Sequence, residues 1–252
     1  MGVTQLHGVV YVVCQASSTI SRFDAKTHQP LTGINVVDLR DPWDIAACEH
    51  TSQLYVAGCP LYGDTEASIW RVSSDGEYTR RWWTKTLLDT FAPSALSVTS
   101  SRLLVTSRLG HQLMQLDAAG NQVRRVGLPD YREPLHAVES PTETFIISHS
   151  NTELKQRQLS EVNTEGQVLR HFSGSLGWPP HTAVDSQGNI FVPAEDNRRI
   201  LLLDAQLTLR RVIIDKHQLN SKPPQRLCYN EQSGQLLVGL YDRIMVFDVL
   251  QR

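Results

Sequence analysis

The sequence predicts an all-β chain: a single six-bladed β-propeller of four-stranded antiparallel blades, in which one terminal blade, the first or the last, keeps three strands. Three observations carry this. A short apolar run recurs six times, starting at residues 10, 54, 103, 145, 190 and 236, at intervals of 42 to 49 residues that use up the chain. The runs are rich in β-branched and aromatic residues and are bounded by Gly, Asp, Asn and Ser turns, which is how strands read. Apolar positions at 3.6-residue spacing over ten or more residues, which a helical repeat of this length would need, do not occur.

The recurring runs are predicted as second strands: Val10–Val13, Leu54–Ala57, Leu103–Thr106, Phe145–Ser148, Ile190–Val192 and Leu236–Gly239. A polar loop follows each, then a third strand: Ile20–Asp24, Ile69–Val72, Gln112–Asp117, Gln158–Val162, Ile200–Asp204 and Ile244–Asp248. Turns such as Ser74-Asp-Gly76, Ala118-Ala-Gly-Asn121 and Thr164-Glu-Gly166 lead into fourth strands at Leu31–Val36, Tyr78–Trp82, Val123–Val126, Val168–His171 and Leu209–Val212. The blades fall at about 3–36, 42–83, 93–127, 134–173, 180–214 and 224–252. The sixth stops after its third strand. Val3–Leu6 runs into a His7-Gly8 turn and reads as the first strand of blade one rather than as a closing strand for blade six.

Composition is that of an ordinary globular chain, 40% hydrophobic and 20% charged, and a formal net charge of −2 gives no electrostatic footprint for a polyanion. Four cysteines show no metal-ligand spacing. Cys14, Cys48 and Cys228 lie in apolar runs, where buried thiols and a cytoplasmic location are expected. The N-terminus has neither the basic-then-apolar pattern of a signal peptide nor a myristoylation signal, and no apolar run reaches membrane-spanning length.

The segment Val184-Asp-Ser-Gln-Gly-Asn-Ile-Phe-Val192, with Asp196-Asn-Arg-Arg-Ile200, resembles the NHL repeat of six-bladed propellers, as in the C-terminal domains of tripartite-motif proteins. The family's Val-Ala-Asp after the second strand is Val192-Pro-Ala194 here, and the other blades keep only the hydrophobic frame. The resemblance implies a recognition module. In the family such propellers often follow ubiquitin-ligase-type modules, and some bind RNA.

The long connections, 37–43, 58–68, 84–92, 128–135, 150–157, 173–180 and 215–225, are expected on one face of the disc, where rigid scaffolds usually bind. Trp43, Tyr62, Phe91, Tyr131, Trp178 and Tyr241 are expected there as aromatic anchors for a protein or peptide partner, with Asp44, His136, His181, Glu195 and Arg226 beside them. Asp44, Glu195, Asp242 and His181 are the candidates for the alternative, a small-molecule hydrolase or lyase with a site at the channel mouth. No nucleophile elbow, zincin motif or phosphate-cradling loop is present. His136 and His181 suggest imidazole ligands for zinc. Aligning Ala137-Val138 with Ala183-Val184 puts the two histidines one residue out of register, so they are expected to face opposite ways; neither a metal nor another cofactor is expected. The pairs Arg80-Arg81, Arg124-Arg125 and Arg210-Arg211 recur on fourth strands. They read as charged outer edges that prevent edge pairing, in preference to a single-stranded RNA surface. The expected protein is a monomer without membrane association.

Overall fold

Burial follows place in the sheet: second strands such as Leu103–Ser107 and Ile190–Ala194 are buried at every position, whereas fourth strands leave Leu31, Val123, Leu169 and Leu209 exposed. The computed structural model describes residues 1–15, 17–58, 66–86, 91–99, 102–129, 132–153, 156–174, 176–177 and 181–249. Among them are 23 strands in six antiparallel sheets, each sheet made of strands consecutive in the chain. These are the blades of a six-bladed β-propeller, five of four strands and the last of three.

The chain divides into two compact units, Met1–Arg125 and Val126–Arg252. In the first unit, sheet one holds β1 (Gly2–Leu6), β2 (Val9–Val13), β3 (Thr19–Asp24) and β4 (Pro30–Asn35). Sheet two holds β5 (Pro42–Cys48), β6 (Gln53–Gly58), β7 (Glu66–Ser73) and β8 (Thr79–Thr86). Sheet three holds β9 (Pro93–Val98), β10 (Leu103–Ser107), β11 (Gln112–Leu116) and β12 (Gln122–Gly127), the division falling inside β12. In the second unit, sheet four holds β13 (Arg132–Glu139), β14 (Phe145–Asn151), β15 (Gln156–Val162) and β16 (Val168–His171). Sheet five holds β17 (Ala183–Val184), β18 (Ile190–Ala194), β19 (Arg199–Leu203) and β20 (Leu209–Ile214). Sheet six holds β21 (Arg226–Asn230), β22 (Gln235–Gly239) and β23 (Ile244–Asp248).

The open question about the terminal blades is thereby decided. β1 pairs with β2 from Leu6↔Val9 to Gly2↔Val13, across a two-residue turn whose residues His7 and Gly8 both have positive φ, 48° and 75°. That backbone matches the right-handed twist of a hairpin, so β1 is bound into blade one.

Cores form where neighbouring sheets of one unit meet. In the first unit, Leu6, Tyr11, Val13 and Ile20 of sheet one pack with Ile45, Leu54, Val56 and Trp70 of sheet two. Tyr55, Ile69 and Trp82 of sheet two pack in the same way with Leu96, Leu103 and Met114 of sheet three. In the second unit, Ile146 and Leu159 meet Ile190, Val192 and Leu203, and Phe191 and Ile200 meet Leu227, Leu236 and Val238.

A recurring turn joins third strand to fourth. Asp117 Oδ1 accepts the N–H groups of Ala119 and Asn121, and Asn163 Oδ1 those of Glu165 and Gln167. Asp204 Oδ1 accepts those of Gln206 and Thr208. The same chemistry joins β17 to β18, where Asp185 Oδ1 accepts from Gln187 and Asn189. The N–H of Asn121 holds the Asp117 carboxyl below the usual carboxylate range, and that of Thr208 does so for Asp204. The fourth turn residue has positive φ: Gly120, Gly166 and Gly188, but Leu207 in the Asp204 turn. At Gly166 the requirement is double, because a Cβ would also stand 2.0 Å from the Gly127 carbonyl oxygen.

Two expectations need correction. Cys14 is exposed, because β2 ends at Val13 and the apolar run therefore stops being strand one residue earlier; Cys48 is buried and Cys228 half-buried, and Cys59 lies outside the described residues. Phe91 is wholly buried rather than a loop-face anchor. It packs edge-on to Trp83 at 5.7 Å between ring centroids, with the Arg125 guanidinium 5.7 Å from its ring centroid. No helix among the described residues is long and apolar enough to cross a membrane.

Candidate functional site

The site begins with a backbone irregularity. In β13 the pairing runs Pro134↔His149 and then His136↔Ser148, so Leu135 is an extra residue and the strand bulges. Proline suits this place because it has no N–H to give to the ladder. The first strands of two sheets in the first unit do the same. β5 pairs Pro42↔Gly58 and then Asp44↔Ala57, and β9 pairs Pro93↔Ser107 and then Ala95↔Thr106. The sequence Pro-X-Z thus places Asp44, Ala95 and His136 at one repeat position, and all three are buried. Pro180-His181-Thr182 and Pro224-Gln225-Arg226 continue the pattern in sheets five and six, with Thr182 buried and Arg226 half-buried. Bulges of this kind commonly re-aim a side chain near a site.

In the second unit the consequence is a contact between sheets four and five. The rings of His136 and His181 stack at 3.6 Å between centroids and 28° between planes. Ring nitrogens of the two residues lie within 4.8 Å of one another. His136 Nδ1 is 3.4 Å from the Thr182 hydroxyl. The Ser148 hydroxyl donates to the His136 carbonyl at 3.2 Å, tying the bulged strand to its neighbour. Both imidazoles are buried, at 2% and 7% exposure.

This overturns the expectation that the two histidines face opposite ways. Strand alternation governs residues within strands, but β17 begins at Ala183, so His181 precedes the strand and its direction is not set by that rule. The Leu135 bulge also displaces the count on the other side. His136 and Thr182 do match, as their contact at 3.4 Å shows.

In the first unit, Asp44 is wholly buried and its Oδ2 accepts the Leu96 N–H at 2.8 Å, tying β5 to β9. A carboxylate at this depth is held by such backbone donors. Trp43, the extra residue of the β5 bulge, is half-buried.

The remaining predicted residues do not assemble. Tyr62, Tyr131 and Trp178 lie outside the described residues. Glu195 is half-buried, with its N–H donating to the Leu176 carbonyl at 2.9 Å. Asp242 is bound to its neighbour Arg243 at 2.9 Å. Tyr241 is 83% exposed. Fourth-strand arginines are occupied locally: Arg81 lies over the Trp70 ring at 5.4 Å, and Arg210 pairs with Asp204 at 3.1 Å.

Sequence reasoning passed over two buried polar groups. Thr182 touches His136, and His149 shares a 2.9 Å hydrogen bond with Ser160. Burial, and then the nearby Arg132 charge, push the His149 pKa down to about 4. The Pro-X-Z spacing was the signal that could have found the first. Nothing local marks the second.

The architecture defines a class, the six-bladed β-propellers. No family model matches the chain, and no curated protein matches it in sequence. Solved structures resemble it in fold. A protein of unknown function from Bacteroides caccae is 12% identical with a TM-score of 0.68, over 91% of this chain and 81% of that one. A chain of a nidogen/laminin complex is 16% identical with a TM-score of 0.67, over 86% and 81%. A catalytically inactive histidine-to-alanine variant of virginiamycin B lyase from Staphylococcus aureus, with quinupristin, is 13% identical with a TM-score of 0.64, over 94% and 75%.

Proposed function

We propose that this protein is a small-molecule hydrolase or lyase on an NHL-like propeller, with His136 and His181 as its working groups. The observation that carries this is the stacked, buried pair at 3.6 Å. Two imidazoles side by side can divide the labour of proton removal and proton delivery, and histidine is the side chain best matched to that work near neutral pH. The virginiamycin B lyase, similar in fold, is inactive in the variant in which a histidine is replaced by alanine, which supports looking to histidines here. The test is turnover by the purified chain on lactones, aryl esters and quinupristin. The expected result is an activity that falls about a hundredfold or more in both His136→Ala and His181→Ala. Absence of turnover across the panel, or turnover indifferent to both substitutions, overturns the reading.

A second reading, recognition of a protein or peptide, is favoured by one observation, the 83% exposure of Tyr241. Tyrosine is a common interface anchor. It predicts that Tyr241→Ala weakens capture of a partner while leaving the fold's melting temperature unchanged.

A further inference from the structure

We infer that His136 and His181 hold one divalent transition-metal ion, with zinc the best fit, through one ring nitrogen each. The inference rests on the same histidine pair as the proposed catalytic reading and, in the metal-loaded chain, gives the two rings the role of ligands in place of proton carriers.

Convergence comes first. The two residues are 45 positions apart in sequence, yet their ring nitrogens lie within 4.8 Å. A tetrahedral zinc ion with Zn–N bonds of about 2.0–2.1 Å needs its two nitrogens about 3.3 Å apart. Because a nitrogen lone pair lies in the ring plane, the two stacked rings must turn against each other for both to meet one ion.

Anchoring comes second. His136 sits on a strand pinned on one side by the β14 register and by the Ser148 hydroxyl on its carbonyl. Its Nδ1 faces the Thr182 hydroxyl at 3.4 Å. An Nδ1–H donated to that hydroxyl leaves Nε2 with the lone pair, the usual way a neighbouring group orients a metal-binding imidazole. In that tautomer Nε2 is the His136 ligand atom, with Thr182 as its positioning residue.

Chemistry comes third. Metals bind imidazole through the lone pair of a ring nitrogen. A pair of imidazole nitrogen donors suits zinc, cobalt or nickel, whereas magnesium and calcium take oxygen donors.

The experiment uses the full chain, stripped with a chelator and then titrated with zinc by calorimetry and with cobalt by visible absorption. Expected are one ion per chain, cobalt bands typical of nitrogen ligation, and affinity at least about tenfold weaker in His136→Ala and in His181→Ala. His7→Ala, on an exposed histidine, leaves binding unchanged. Should either site variant fail to fold, the wild-type protein still decides the matter: zinc protects His136 and His181 from diethylpyrocarbonate, mapped by peptide mass. No ion bound at about 100 μM zinc overturns the site. So does undiminished binding by the double variant, or protection of other histidines instead. A chain that binds zinc but turns nothing over keeps the metal site and loses the catalytic reading. Turnover by a chain that binds no zinc does the reverse.

Discussion

His149 and His136 belong to one sheet and are equally hidden, at 1% and 2% exposure, yet they are buried for different reasons. His149 lies on β14 and bonds through Nε2 to Ser160 of β15, a partner within its own sheet four. His136 pairs with Ser148, the neighbour of His149, so the two rings leave opposite faces of the sheet. Its ring meets another sheet, stacking on His181. A histidine bonded within its own sheet is a structural element. One delivered by a bulge to a second histidine is a site. Burial alone does not separate them; the partner does.

The largest expected effect tests the structural half of this contrast. His149→Ala leaves the Ser160 hydroxyl without its partner and opens a cavity, and is expected to cost about 2–4 kcal/mol in urea unfolding. His136→Ala removes a ring stacked on another polar ring and is expected to cost less, about 1–2 kcal/mol, while removing the response of stability to zinc. Equal losses would place His136 in the structural class and break the contrast.

Acid titration sharpens it further. The folded His149 pKa of about 4 lies below its ordinary value of 6.5. Between these limits the unfolded chain binds a proton that the folded chain does not, so stability rises with pH. Its contribution is complete above about pH 6.5 and is lost progressively as the pH falls to about 4, by roughly 2–4 kcal/mol. His149→Phe is expected to flatten that part of the profile of unfolding free energy against pH. An unchanged slope would mean that burial does not lower the His149 pKa in the folded chain.

The smallest effect is at the turns. Asp185→Ala removes the acceptor for the Gln187 and Asn189 N–H groups and is expected to cost about 1 kcal/mol, with no change in zinc affinity. A change in zinc affinity would mean that the Asp185 turn sets the direction of His181, four residues earlier.

The strands and turns were legible because they are written locally. Ile190–Val192 is an unbroken apolar run bounded by turns, and Asp185-Ser-Gln-Gly-Asn189 carries the carboxylate, the glycine and the spacing its turn needs. Phe91 was misread because a loop residue and a residue that seals a core look alike until Trp83 and Arg125 are in place around it. The histidine pair was named but misdirected, because counting residues along an ideal strand cannot see that Leu135 is looped out or that β17 starts only at Ala183.

By itself the sequence determined the number of blades, the four-strand plan, the three-strand final blade as one of two alternatives, and the turn chemistry. These follow from hydrophobic alternation and from side chains bonding to backbone a few residues away, which are short-range effects. Only the tertiary structure decided that His136 and His181 meet. Their contact depends on a bulge and on the packing of one sheet against the next, and neither is encoded within the few residues around either histidine.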